Sequence, residues 1–155
     1  MGEALKKWLK LSKNLEPREE VDLNLRVAVS LLDTGFNKLM ESFNITGAQY
    51  NVLRILKGVY PEGHARCEIA TRMVERASDI TRIIDRLEKQ ELVQRDRTSE
   101  DRRMSITKIT KKGIELLDKI NPYLTKEHLE STKELSEEEC LQLSALLEKL
   151  YEKKM

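Results

Sequence analysis

The amino-acid sequence predicts a mainly α-helical protein with one small β-hairpin, and three observations carry that expectation. The 155 residues include only 6 Gly and 3 Pro, so turn formers are scarce. Apolar side chains recur at helical spacing through most of the chain. Only between Leu92 and Ile109 does the period change to that of strands. The length suits one domain. A hydrophobic content of 39% with a formal net charge of +1 is enough for a core and argues against disorder.

The first segment, Glu3 to Leu15, sets Leu5, Trp8 and Leu9 at helical spacing among Lys6, Lys7, Lys10 and Lys13. It reads as a short arm docking its Leu/Trp side on the body or on a partner, the alternative being a basic amphipathic helix on a membrane surface. After Pro17 a long stripe follows: Val21, Leu25, Ala28, Leu32, Phe36, Leu39, Met40 and Phe43. Leu23, Val27, Val29 and Leu31 widen it beyond one core contact, which suggests burial at a subunit interface. Asn44-Ile45-Thr46-Gly47 breaks the run, and Thr46 with Gln49 forms a capping box. The helix it opens carries Tyr50, Leu53, Ile55, Leu56 and Val59, and ends before Pro61-Glu62-Gly63.

Cys67 to Val74 predicts a short helix with Ile69, Ala70, Met73 and Val74 inward. Ser78 is the expected N-cap of a second helix reaching about Gln90, with Ile80, Ile83, Ile84 and Leu87 as its buried stripe. Asp79, Thr81, Arg82, Asp85, Arg86 and Lys89 then face outward. Two short helices about a tight turn, the second with an apolar back and a hydroxyl/Arg front, make the helix-turn-helix pattern. Thr81 suits a phosphate, a base edge or a thymine methyl, and Arg82 suits two parallel bonds to guanine. The strand period over Leu92–Arg95 and Ser105–Ile109, around a polar loop, predicts a hairpin wing. Its loop holds Asp101, Arg102 and Arg103. An Arg at a wing tip suits the minor groove, and an Asp two residues before it can hold the guanidinium extended.

Thr110 caps the next expected helix, striped by Ile114, Leu117, Ile120 and Leu124, with a kink expected at Pro122. Ser136 to Glu139 is a second capping box, opening a last helix through Leu143, Leu146, Leu147 and Leu150. Charge is uneven along this order: residues 64–113 carry a net +4 and residues 114–155 a net −4. The middle third is the part suited to a polyanion.

At this point the sequence becomes specific. The strings ITGAQYNVLRIL, EIATRM, DITRIIDRLEKQELVQR and DRRMSITKITKKG resemble the core of the MarR family of winged helix-turn-helix regulators. The last string is similar to the family's wing signature, with Ile109 in the place of a Leu. The resemblance is close over Thr46 to Gly113 and extends to the flanking helices in pattern. It implies a winged helix-turn-helix flanked by N- and C-terminal dimerisation helices: residues 1–45 as arm and dimerisation helix, 46–113 as DNA-binding lobe, and 114–155 as C-terminal dimerisation helices. It implies that Ser78, Thr81, Arg82 and Arg86 face DNA or brace the wing, that Arg102 and Arg103 belong to the wing contact, with Arg103 entering the minor groove, and that Asp101 is its anchor. Arg86 pairing with Asp101 is the alternative for that residue. Two departures stand out: Glu91 occupies a position where the family has Gly, and the turn Glu75-Arg76-Ala77 has no Gly.

The function expected is a sequence-specific regulator, a repressor, binding a pseudo-palindrome on double-stranded DNA as a homodimer in the cytoplasm. A small phenolic or lipophilic effector would bind between the dimer helices and the DNA lobe, lined by Phe36, Met40, Phe43, Tyr50 and Tyr60, each of which is otherwise a core residue. No Gly-rich phosphate loop, nucleophile motif or HExxH suggests an enzyme, and no cofactor is expected. No apolar run has the length of a membrane span. Two rival readings stay open. One is a winged-helix adaptor that binds protein rather than DNA. The other is a metal-responsive regulator using His64 and Cys67, although a lone Cys on an amphipathic helix is more often small packing, and Cys67 near a helix start is also a candidate reactive thiol.

Overall fold

The computed structural model describes residues 2–74, 79–96 and 105–154. The order is α1 (Glu3–Leu9), α2 (Pro17–Ser42), α3 (Gly47–Lys57), β1 (His64–Ala65), α4 (Arg66–Thr71), α5 (Ile80–Lys89), β2 (Val93–Asp96), β3 (Ile106–Ile109), α6 (Lys111–Thr132) and α7 (Glu137–Tyr151), with a last 3-10 turn over Glu152–Lys154. The mainly helical fold with a small antiparallel sheet is the one the periodicity predicts.

The helix starts follow their capping chemistry. Pro17 opens α2, where its missing N–H and fixed φ cost nothing. Thr46 accepts from the Gln49 amide N–H while the Gln49 side chain accepts from Thr46, so both halves of the box form. The Ser136/Glu139 box opens α7 in the same way, and Thr110 accepts from the Gly113 N–H to start α6. The last of these helices is continuous through Pro122.

The core lies where α2, α3, α5 and α6 meet. Val52, Leu53 and Leu56 of α3, Ile84 and Leu87 of α5, Ile120 of α6 and Met40 of α2 are wholly or almost wholly buried. Ile80 and Ile83 pack at the margin, so the expected 80/83/84/87 stripe is the inner face of α5. Truncating such residues costs about 2–5 kcal/mol each. The sheet has the order β1-β3-β2, both pairs antiparallel. The sequence predicts the β2–β3 hairpin but not β1, because two residues are too few to show a period. Gly63 (φ 101) turns the chain into β1 beside Thr107, where a side chain would strike backbone.

Four expectations need correction. Within the first segment the helix ends at Leu9, where Lys10 takes a left-handed conformation (φ 52) and its N–H donates to the Lys6 carbonyl, and the expected Leu/Trp side docks only in part. Leu5 is buried there, but Trp8 stays 59% exposed. Helix α4 runs Arg66–Thr71 rather than Cys67–Val74, and Val74 points outward, 80% exposed. Cys67 is exposed, so it is not a packing residue in this chain. The N-cap of α5 is Asp79, whose carboxylate accepts from the Arg82 N–H (3.2 Å), and not Ser78.

Glu91 closes α5 in the left-handed conformation that favours Gly. Glu91 sits at φ 60, its N–H donates to the Glu88 carbonyl, and the Leu92 N–H donates to the Leu87 carbonyl. That is the Schellman closure that Gly ordinarily supplies. Lys112 pairs with the Glu91 carboxylate (2.8 Å) and holds it below the usual carboxylate range. Both side chains are largely in solvent, so the pair is worth little against the backbone strain. Glu91→Gly is therefore expected to raise Tm by about 2–4 °C. The sign with pH is fixed: a lowered carboxyl pKa stabilises above the unfolded value, and that contribution disappears as pH falls through the folded one. The advantage of Gly thus grows in acid, and a Tm series from neutral to acid pH checks both.

Candidate nucleic-acid interface

Helices α4 and α5 stand as the two helices of the expected pair, with β1 leading into α4 and the sheet following α5. Thr81 lies in the first turn of α5, and its hydroxyl accepts from Arg66 Nη1 at 3.0 Å. Arg82 is one residue on, 79% exposed along its side chain, with Nε 2.9 Å from Asp79. The same carboxylate therefore caps the helix and restrains the guanidinium, through Nε. A guanidinium has five donors, so this contact is compatible with an end-on approach of the two Nη groups to a base. Arg86 is exposed one turn further along α5. Ser78, Asp101, Arg102 and Arg103 lie outside the described residues.

The wing's base is held by a pairing that the sequence reading did not anticipate. Arg95 of β2 contacts Asp85 through Nη2 and Glu88 through Nη1 (3.2 Å), with only 21% of its side chain exposed. Asp85, expected on the outward DNA face, is thus committed to the wing. Lys108 of β3 pairs with Asp96 of β2 at 3.2 Å across the hairpin. The missed signal was an Arg facing an i, i+3 acidic pair on the preceding helix, legible only once strand register is known.

Two clefts flank this lobe. The larger, about 850 Å³, opens between α2, α3, α5 and α6. Phe36 and Tyr50 form one wall as an edge-to-face pair (5.7 Å, 77°). Asp33, Arg54, Asp79, Arg82, Arg86 and His128 supply its ionisable groups, and Asn37 and Asn51 add amides. Of the other expected lining residues, Met40 is wholly buried in the core cluster and does not line the cleft. Tyr60 is half exposed after α3 and lines neither cleft. Phe43 meets Tyr123 edge to face (5.6 Å, 63°) and lines the second cleft, about 430 Å³, with Leu92 and Leu116.

His64 lies in β1 opposite Thr107, with Nε2 buried and making no hydrogen bond among the described residues. Among the described residues no group of three or more His, Cys, Asp or Glu is placed to hold a metal ion, so His64 and Cys67 gain no third ligand. Among them, too, no helix is long and apolar enough to cross a membrane.

Comparison with known proteins agrees with this geometry. The MarR family model matches residues 45–105. The HTH-type transcriptional regulator MhqR of Bacillus subtilis (strain 168) is 31% identical over 115 residues, 74% of this chain and 77% of its own. Among solved structures, MepR of S. aureus in complex with DNA is similar, with a TM-score of 0.75 and 21% identity over 90% of this chain and 99% of that one. So is BpsR of Bordetella bronchiseptica, whose DNA binding is regulated by 6-hydroxynicotinic acid, at a TM-score of 0.74 and 21% identity over 88% and 98%. A helix pair with a hairpin wing, in the order and spacing of that family and with a relative matched across three quarters of the sequence, leaves one assignment: the chain belongs to the MarR family of DNA-binding transcription regulators.

Proposed function

We propose that the protein is a cytoplasmic repressor that binds a pseudo-palindromic operator as a homodimer and is released by a small phenolic or lipophilic ligand. The observation that carries the DNA reading is the front of α5, where a half-buried Thr81 and an exposed Arg82 stand over a buried Ile84/Leu87 back. Such a helix fits a major groove roughly 12 Å wide. Arg86 extends the proposed contact along α5, and Ser78, just before the helix in sequence, is proposed to join it. Arg102 and Arg103, with Asp101 as anchor, supply the minor-groove contact at the wing. A protein–protein adaptor has no need of arginines at both places.

The homodimer is supported by apolar surface left on the terminal helices. Val21, Val29, Leu31 and Leu32 of α2 are about half exposed, and α7 has no buried residue while carrying Leu141, Leu143, Leu146 and Leu150 outward. A 15-residue helix whose leucines are left largely exposed is marginal in water, so a second copy is the natural cover. Two lobes would then address half-sites about one helical turn apart. The effector reading rests on the larger cleft, whose volume falls in the usual range for small molecules and whose wall is aromatic. A ligand there touches α2 and α6 on one side and α5 on the other, so it can favour one lobe spacing over another.

The test is binding to pooled genomic fragments across a salt series, with wild type beside Arg103→Ala. Selection of pseudo-palindromic fragments with a steep salt slope is expected, and loss of affinity and part of that slope in the variant. Weak, unselective binding by wild type favours the adaptor. Selective binding that Arg103→Ala leaves untouched removes Arg103 from the wing contact.

A further inference from the structure

We infer that Arg66 is a specificity-determining residue, acting with Thr81 as one composite donor that selects a base edge carrying a hydrogen-bond acceptor. The inference rests on the DNA reading above and adds to it a residue from the other helix of the pair. Arg66 is the first residue of α4, and its Nη1 reaches across 15 positions of sequence to Thr81 Oγ1 at 3.0 Å. Both ends of that bond are anchored by backbone. Ala65, immediately before, pairs with Ile106 in the sheet. Thr81 sits within the first turn of α5, fixed by the Asp79 cap.

A lone threonine hydroxyl is an ambiguous reader. It has one hydrogen to give and two lone pairs to receive, so it accommodates either a donor or an acceptor edge. The guanidinium removes that ambiguity. One lone pair receives the Arg66 N–H, and the oxygen now lies beside a positive charge. An approaching amino group, as on cytosine N4 or adenine N6, meets like-signed hydrogens. An acceptor, as on guanine O6 and N7, adenine N7 or thymine O4, meets the hydroxyl hydrogen and the remaining guanidinium donors together. The bond to Thr81 uses one of five such donors. Arg66 thus biases the hydroxyl toward giving its hydrogen at the DNA surface. A plain phosphate contact from the same arginine would tighten binding to every sequence alike.

The experiment is affinity selection from half-sites randomised at each position, with wild type, Arg66→Ala, Thr81→Val and the double variant, each first shown to melt as wild type does. Wild type is expected to prefer an acceptor-bearing base at one position. Each single variant should relax that same position by roughly tenfold, and the double variant by no more than either. If Arg66→Ala weakens all sequences equally and lowers the salt slope by about one, with the preference intact, Arg66 is a phosphate contact and the inference falls. If Arg66→Ala and Thr81→Val relax different positions, it falls as well. A wild type without preference at any position overturns this inference and the DNA reading together, whereas preference with only Arg66 silent overturns this inference alone.

Discussion

Replacing both Arg82 and Arg86 with alanine is expected to weaken binding to the selected DNA by roughly thirtyfold or more. Each guanidinium contact to a base edge is worth about 1–3 kcal/mol of discrimination, and the lower bound for two gives that factor. Stability should hardly move, since both side chains are exposed and the Arg82–Asp79 pair is a solvent-facing one. Anisotropy titrations against selected and scrambled duplexes, with a thermal melt as control, decide the matter. Affinity for the scrambled duplex should fall less than affinity for the selected one. Equal losses on both would make the two arginines electrostatic contacts without a share in reading sequence.

Gly113→Val is expected to cost about 3 kcal/mol of folding stability. Gly113 lies in the first turn of α6, where a Cβ would collide with the Leu92 carbonyl oxygen and come within 2.7 Å of Ile109 Cγ1. The Leu92 carbonyl also receives the Thr110 N–H at 3.1 Å, so it is part of a short backbone link between the sheet and α6 that cannot simply turn aside. A helical Gly is otherwise worth about 1 kcal/mol less than Ala, and Ala at this position would recover part of the clash that way. Valine gains less in helix preference and adds two methyl groups to the collision. A urea melt should show a lower midpoint with an unchanged slope. A midpoint equal to wild type would mean that α6 can shift away from β3 at no cost.

Much of the fold was legible because its signals are local. The Thr46/Gln49 and Ser136/Glu139 boxes, Pro17 at a helix start and the 80/83/84/87 stripe each involve residues a turn or less apart, which is the range over which sequence shows its period. Asp79 was read as an outward residue although it caps α5, because Ser78 and Asp79 are both good caps and adjacent positions cannot be ranked by type. What stayed hidden depends on contacts between distant segments. Arg95 meets Asp85 and Glu88 only after β2 has folded back along α5, and Arg66 meets Thr81 only when the helix pair has closed. Met40 and Phe43 lie on one helix stripe, yet the packing of α3 and α6 sends the first into the core and the second to the smaller cleft. For the candidate site, residue types named the candidate reading helix, while the partners that orient those residues came from tertiary structure.

The strand order β1-β3-β2 has a consequence for tolerance to operator length. β3 is stitched on both flanks, β1 passes straight into α4, and Arg95 ties β2 to α5. The wing base and both helices of the pair are therefore tied into one unit, with little freedom to swivel the wing base against α5. In a dimeric regulator of this build, an extra base pair between half-sites would turn one face of the DNA away by about a tenth of a helical turn. A supple lobe would follow that rotation by bending. In the homodimer proposed above, this one would be carried round whole by the helices joining the two copies, which would make those helices, and not the proposed reading surface, the gauge of how far apart two half-sites can stand.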